Sequence, residues 1–474
     1  MAPNLKRRDF LKAASAGCAL CLGVPGVLAA GASSASSTLV SPGCRRTKVR
    51  VGKVYMGIPK ALWPTPSMDI KAEMQKYEGE FARLKGQLYD VDFVVNELVT
   101  SSSEAANLKG KLKDVDGILV IHLSMGINDM LGEILGVGKP TVLFAAPYSG
   151  HEWTGFGRLR TQEAGALLEC ILTSDYDQLA VGIRPFRAIH HLREAKILNV
   201  TTRRPQAAFD RPIKERFGTE IKVIGRDRVI EAYNAVPDAA AEAEAKRWIA
   251  QAEKVVEPPR DEIVRSCKLA LAFEQLLNDE DATVITVDCY GSMYRQLPAF
   301  PCIGFTRLND MGLGGICESD LRSGMTHILF QGLSGKPGFI SDPTMDGENV
   351  ILAHCLGSTR MDGPDREPAP YKLRTIMERQ EGAVPQVKMR VGQKVTQAEL
   401  VRPDLLIYWT GDIVAVPDVD RGCRTKITVS VDGDAEKLWQ NWSHGLHRTT
   451  CYGDLTQDLK RFCRFKGIEM VNEA

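Results

Sequence analysis

Apolar and polar positions fall into two alternating textures along the chain. Short β-rich runs occur at 48–56, 91–95, 117–121 and 141–145, and between them lie helix-like stretches such as 69–88, rich in Lys, Glu, Gln and Leu. Strand–helix alternation of this kind predicts a doubly wound parallel sheet. Its strand-end loops, including 57–59, 124–126 and 147–151, are expected to line a cleft. A second α/β unit is predicted from residue 206. It has a strand at 220–224, helices at 238–256 and 261–278 divided by Pro258-Pro259, and an apolar strand at 283–288. A glycine-rich turn at 312–315 follows, then a helix at 319–333 and strands at 338–341 and 350–354. From residue 371 the texture changes. The short runs 387–391, 405–410, 413–416 and 426–431, broken by Gly, Pro and Asp, predict a small antiparallel barrel or sandwich, closed by a helix at 456–466. The expected fold class is thus α/β: two doubly wound domains, 48–205 and 206–370, and a β-rich C-terminal domain, 371–474.

The first residues read differently. Lys6-Arg7-Arg8-Asp9-Phe10-Leu11-Lys12 precedes an apolar run of small residues from Ala13 to Ala30. That order of charge, apolar run and small-residue site predicts a twin-arginine signal peptide over 1–32, with a linker over 33–47. The chain is therefore expected to pass folded through the twin-arginine export machinery to the periplasm or beyond. No later apolar run approaches the ~18 residues of a membrane span. At 474 residues the chain is too long for one core, and 44% hydrophobic with 25% charged residues is ordinary for a globular protein. A net charge of +1 argues against a nucleic-acid partner or a polybasic membrane patch. Of 12 cysteines, Cys18 and Cys21 fall in the signal, and the rest show no CxxC spacing. Mostly free, buried thiols are expected, with a disulfide framework as the alternative.

Candidate chemistry concentrates in three segments: Cys317-Glu318-Ser319-Asp320, Ile340-Ser341-Asp342-Pro343 and His444-Gly445-Leu446-His447. Glu318 is placed at a helix start after a glycine-rich turn, and Asp342 at a strand end. Both positions face the crevice of an open α/β sheet. Two carboxylates and an imidazole form a hard O/O/N ligand set for a divalent ion such as Mn²⁺, and the carboxylates can also move protons. Each residue has a plain structural reading as well. Glu318 suits a helix N-terminus, Asp342 a turn and His354 a buried strand end, while His444 and His447 fit either a ligand pocket beside Trp439 and Trp442 or a surface cap. His190-His191 reads as surface helix. Met311-Gly312-Leu313-Gly314-Gly315 lacks the Lys-Ser/Thr of a P-loop, and neither GxSxG nor HExxH occurs.

Taken with Gly314-Gly315-Ile316-Cys317-Glu318-Ser319-Asp320, Asp342, Ala353-His354-Cys355 and Gly445-Leu446-His447-Arg448-Thr449-Thr450-Cys451, the chain resembles the L-fucose/L-arabinose isomerase superfamily over roughly residues 48–474. The resemblance implies a Mn²⁺-dependent aldose–ketose isomerase. Glu318 and Asp342 would be ligands that double as the acid/base pair, and His447 the third ligand. His354 matches a further ligand of the arabinose branch, and His444 is a possible metal or substrate contact. It also implies a monosaccharide substrate and a homotrimer or homohexamer, in which Trp63, His151 or Trp153 would reach a neighbour's site. The chain differs where Pro343-Thr344-Met345 replace Trp and Asn after the aspartate, and where Leu446-His447 replaces a histidine pair. A non-catalytic sugar-binding protein, another metal-dependent sugar or sugar-acid reaction, and a redox role for the cysteines stand as alternatives.

Overall fold

The computed structural model describes residues 47–204 and 207–474. The expected signal over 1–32 and all of the linker but Thr47 lie outside the described residues. Five parallel strands open the fold: β1 (Val49–Met56), β2 (Val91–Val99), β3 (Gly117–His122), β4 (Thr141–Ala145) and β5 (Leu168–Leu172), in the order β2-β1-β3-β4-β5. Strands β3 and β4 are buried along their whole length, as strands covered by helices on both faces must be. Val49, Val51 and Tyr55 pack into a cluster on one face, and Val54 and Met56 into a cluster on the other.

The second sheet is also parallel, β10-β9-β6-β7, formed by β6 (Lys196–Val200), β7 (Glu220–Ile224), β9 (Val284–Val287) and β10 (Gly314–Cys317). Strand β6 pairs here, so the expected division at 205/206 cuts this sheet from one of its own strands. The glycines before Glu318 serve packing. A Cβ on Gly315 would lie 2.3 Å from Phe305 Cα, so β10 and the helix Cys302–Asp310 touch backbone to side with no room for a methyl group.

The division at 370/371 is also displaced. Strands β11 (Phe339–Asp346) and β12 (Asn349–His354) do not extend the central sheet. They form an antiparallel hairpin that joins β15 (Lys394–Arg402), β16 (Leu405–Ala415), β17 (Thr425–Val431) and β18 (Arg448–Tyr452). The order β15-β18-β11-β12-β17-β16 closes through a β15–β16 pairing into a six-stranded antiparallel barrel, with β19 (Glu469–Asn472) parallel beside β16. The burial of β12 alternates, as in a barrel strand with one face inward, whereas the central strand β9 is buried throughout. Val350, Leu352, Trp409, Ile427 and Val429 fill the barrel core. A small sheet of β8 (Lys254–Val255), β13 (Tyr371–Arg374) and β14 (Val384–Val387) lies apart from it. The helix Leu321–Ser334 is buried on almost every side and packs against β10, β15 and β18. No helix among the described residues is long and apolar enough to cross a membrane.

His190 and His191 are not at the surface. The helix Arg184–Glu194 buries both rings. His190 Nδ1 lies 3.0 Å from Asp116 Oδ2, and its Nε2 lies 3.2 Å from Glu194. Burial alone would lower the pKa of His190, but the hydrogen bonds to Asp116 and Glu194 outweigh it and hold the ring up at about 9. Its ordinary value is near 6.5. The imidazolium therefore adds stability that is complete below about pH 6.5 and is lost as pH rises through about 9. Urea midpoints are expected to fall across that window, and His190→Asn to flatten the fall. The gap between the two values sets a ceiling of about 3 kcal/mol, which solvent around the part-exposed Glu194 reduces. Equal slopes in the two proteins would exclude His190 as the source.

Candidate metal centre

The site lies where the C-terminal edge of the central sheet meets the barrel. Strand β10 stops at Cys317, and the next two residues turn left-handed, Glu318 at φ 62° and Ser319 at φ 54°. Two consecutive side-chain-bearing residues in that region cost on the order of 1–3 kcal/mol each. The kink lifts the Glu318 carboxylate off the sheet and delivers Asp320 as N-cap of Leu321–Ser334, where it accepts from the Arg322 and Ser323 N–H groups. Asp342 comes from the barrel. It does not end its strand, because β11 runs on through Pro343 to Asp346. Pairing of β11 with β18 covers only Phe339–Ser341, so an open edge at Pro343 accepts a residue with no N–H. His354 ends β12, and His447 immediately precedes β18.

These side chains converge. Glu318, His354 and His447 each offer a ligand atom within 4.8 Å of the other two. His354 Nε2 lies 3.6 Å from Glu318 Oε1, and His447 Nε2 lies 3.9 Å from Glu318 Oε2. Asp342 joins through His447, with its Oδ1 3.2 Å from Nε2. The two rings stand edge to face at 5.3 Å between centroids. A divalent ion with bonds of about 2.2 Å sets neighbouring ligand atoms about 3.1–3.6 Å apart, so the spacing suits a cation. Two buried atoms strengthen the fit: Asp342 Oδ1 and His447 Nε2 are close but misaligned, and neither has a hydrogen-bond partner. Buried polar atoms are normally satisfied, and a shared cation would satisfy both.

Asp320, quoted in the sequence motif without a role, orients the set. Its Oδ2 lies 2.8 Å from His447 Nδ1 and accepts from Ser323 Oγ at 2.6 Å. An Nδ1–H donated to Asp320 leaves Nε2 to face Glu318 and Asp342. Burial opposes charge on His447, yet Asp320 and Asp342 hold the ring up at about 10. The carboxyls of Asp320 and Asp342 are held low despite their burial, because His447 faces both. Behind Asp320, burial first and the Asp320 charge second push the carboxyl of the fully buried Glu399 on β15 well above its ordinary value. Sequence offered no signal for Glu399, a lone carboxylate within a strand.

Arg448 braces the loop that carries His447. It is fully buried and paired through two hydrogen bonds, 2.9 and 2.8 Å, with the equally buried Glu473. Its remaining terminal nitrogen donates to the carbonyls of His447 at 2.8 Å and Gly445 at 3.2 Å. Trp442 covers the guanidinium at 4.3 Å.

His444 does not join the ligands. Its carbonyl accepts from Arg322 Nη1 at 3.1 Å, and the residue lines a cleft of about 630 Å³ bordered also by Ser319, Asp320 and His447. That cleft abuts the site from the Asp320 side and does not include Glu318, Asp342 or His354. Trp63 and His151 meet edge to face at 5.2 Å, and Trp63 and Trp153 are exposed. Comparison with protein-family models finds no matching family, and comparison with curated proteins finds no matching protein.

Proposed function

We propose that the chain is a metal-dependent aldose–ketose isomerase-like enzyme on an L-fucose/L-arabinose isomerase-like fold. The observation that carries the reading is the convergence of Glu318, Asp342, His354 and His447, with two buried ligand-type atoms left without partners. The set is hard, two carboxylates and two imidazoles, and suits Mn²⁺ or a similar cation. When bound, such an ion polarises the carbonyl of a sugar. The protein's own part is proton handling and orientation. Glu318 and Asp342 sit on different elements, each about one-third exposed, and so reach a substrate while still bordering the buried imidazoles. One carboxylate takes the proton from carbon 2, carbon 1 of the resulting enediolate is protonated in its place, and the other carboxylate, on the opposite side, shuttles the hydroxyl proton from O2 to O1. Asp320 keeps the His447 ring turned toward them. A monosaccharide is the substrate class, a homo-oligomer completed by the Trp63, His151 and Trp153 surface is the assembly, and the N-terminal motif directs the chain to export.

The test is solvent exchange. Mature protein loaded with Mn²⁺ is incubated in D₂O with a panel of aldoses and ketoses, and deuterium at carbons 1 and 2 is read by NMR. Exchange with at least one sugar, accompanied by aldose–ketose interconversion, is the expected result. Stoichiometric Mn²⁺ without exchange on any sugar would sink the isomerase reading and favour a binding protein; failure to bind Mn²⁺ would remove the metal centre itself.

A further inference from the structure

A second cluster of metal-ligating side chains lies outside the site just described. Cys355 follows His354 at the end of β12, Cys423 stands two residues before β17, and Glu378 lies in the loop between β13 and β14. Three separate segments bring their Sγ, Sγ and carboxylate oxygen within 4.8 Å of one another. Cys423 Sγ donates to Glu378 Oε1 at 3.3 Å. Tyr290 Oη donates to Glu378 Oε2 at 3.3 Å and lies 3.8 Å from Cys355 Sγ. The described cysteines are all free.

We propose that Cys355, Cys423 and Glu378 form a Zn²⁺ site, with Tyr290 or water in the fourth position. Bonds of about 2.3 Å to sulfur and about 2.1 Å to oxygen at the tetrahedral angle separate S and O ligands by about 3.6 Å, close to the 3.3 Å observed between Cys423 and Glu378. Two thiolates make the set soft, so it favours zinc over manganese, whereas the carboxylate–imidazole set next door has no thiolate and accepts harder cations as well. Cys355 is buried, Cys423 half-buried and Glu378 exposed, so an ion can enter from the Glu378 side. The two sites are neighbours in the chain, since His354 ends β12 and Cys355 follows it at a bend.

Full-length protein, stripped of metal and kept reduced, is titrated with Co²⁺ and the thiolate-to-cobalt charge-transfer absorption is followed. One equivalent is expected to develop the band, and one equivalent of Zn²⁺ to abolish it. Cys423→Ser should remove the band while Asp342→Asn leaves it intact, which separates this site from the proposed catalytic one. Should Cys423→Ser fail to fold by circular dichroism, Glu378→Gln at an exposed position serves instead, with Co²⁺ affinity lowered at least tenfold. No band in the reduced wild type, or a band unchanged in both variants, would overturn the proposal. So would a Cys355–Cys423 disulfide found before reduction together with no Co²⁺ uptake after it.

Discussion

Replacing Glu318 by Gln and Asp342 by Asn together should abolish stoichiometric Mn²⁺ binding and, with it, any sugar exchange. Both changes keep shape and remove charge. The pair leaves His354 and His447 as the remaining ligands, and two neutral imidazoles hold Mn²⁺ weakly. Asp320→Asn probes the same centre from behind. Its side-chain oxygen can still cap Leu321–Ser334, but an amide nitrogen turned to His447 would make Nδ1 an acceptor and move the ring proton to Nε2, the atom that faces Glu318 and Asp342. Losing a partner of this kind lowers metal affinity about 10–100-fold. Mn²⁺ affinity by calorimetry, with circular dichroism as the folding control, separates the outcomes. Full Mn²⁺ occupancy in the double variant would show that the ion binds elsewhere. Unchanged affinity in Asp320→Asn would show that the ring needs no orientation.

Glu473→Ala is expected to destabilise the fold by about 3–5 kcal/mol, because it strands the Arg448 guanidinium at zero exposure with no counter-charge. Arg448 cannot shed its proton. Water must enter or the loop must move, and the loop is held by the same side chain through the carbonyls of Gly445 and His447. Mn²⁺ affinity should therefore fall along with stability, although Glu473 contacts none of the ligands. The check is urea unfolding beside a Mn²⁺ titration of the folded variant. A loss under about 1 kcal/mol would mean that the charge finds water without rearrangement. A full stability loss with intact Mn²⁺ affinity would confine Glu473 to a scaffold role.

Sequence texture revealed β1, β3 and β4, which are covered on both faces and read as continuous apolar runs, but not β5 or β6, and it took the glycines of β10 for a turn. The barrel was legible only in part. Strand β15 hides because Thr396, Gln397 and Glu399 are polar yet buried, hydrogen-bonded to Gly453 at 2.8 Å, Thr450 at 2.7 Å and Thr449 at 3.3 Å. The neighbouring Arg448-Thr449-Thr450 of β18 hides for the same reason. The runs 405–410 and 413–416 are one strand, β16. Gly411 between them is no break; it lets β17 approach so closely that a Cβ would sit 2.3 Å from Ser430 O. At the site, Glu318, Asp342, His354 and His447 could be picked out by residue type and spacing. Their true origins, one from a parallel sheet and the rest from a barrel, could not, because pairing partners are fixed by contacts distant in sequence. His190 was misread because its charged helix conceals the buried Asp116 it faces.

The hydrogen bond between Asp320 and His447 joins residues 127 positions apart. At a synthesis rate of about 5–20 residues per second, Asp320 emerges roughly 6–25 s before its partner. Through that interval the nascent chain holds an acidic half-site without the His447 ring, and β18, the last strand of the barrel, has yet to be made. A divalent cation would bind such a chain loosely and the closed barrel tightly. By mass action it would then favour docking of the final strand, so that availability of the ion during translation, as well as during turnover, would set how much of the chain reaches its finished form.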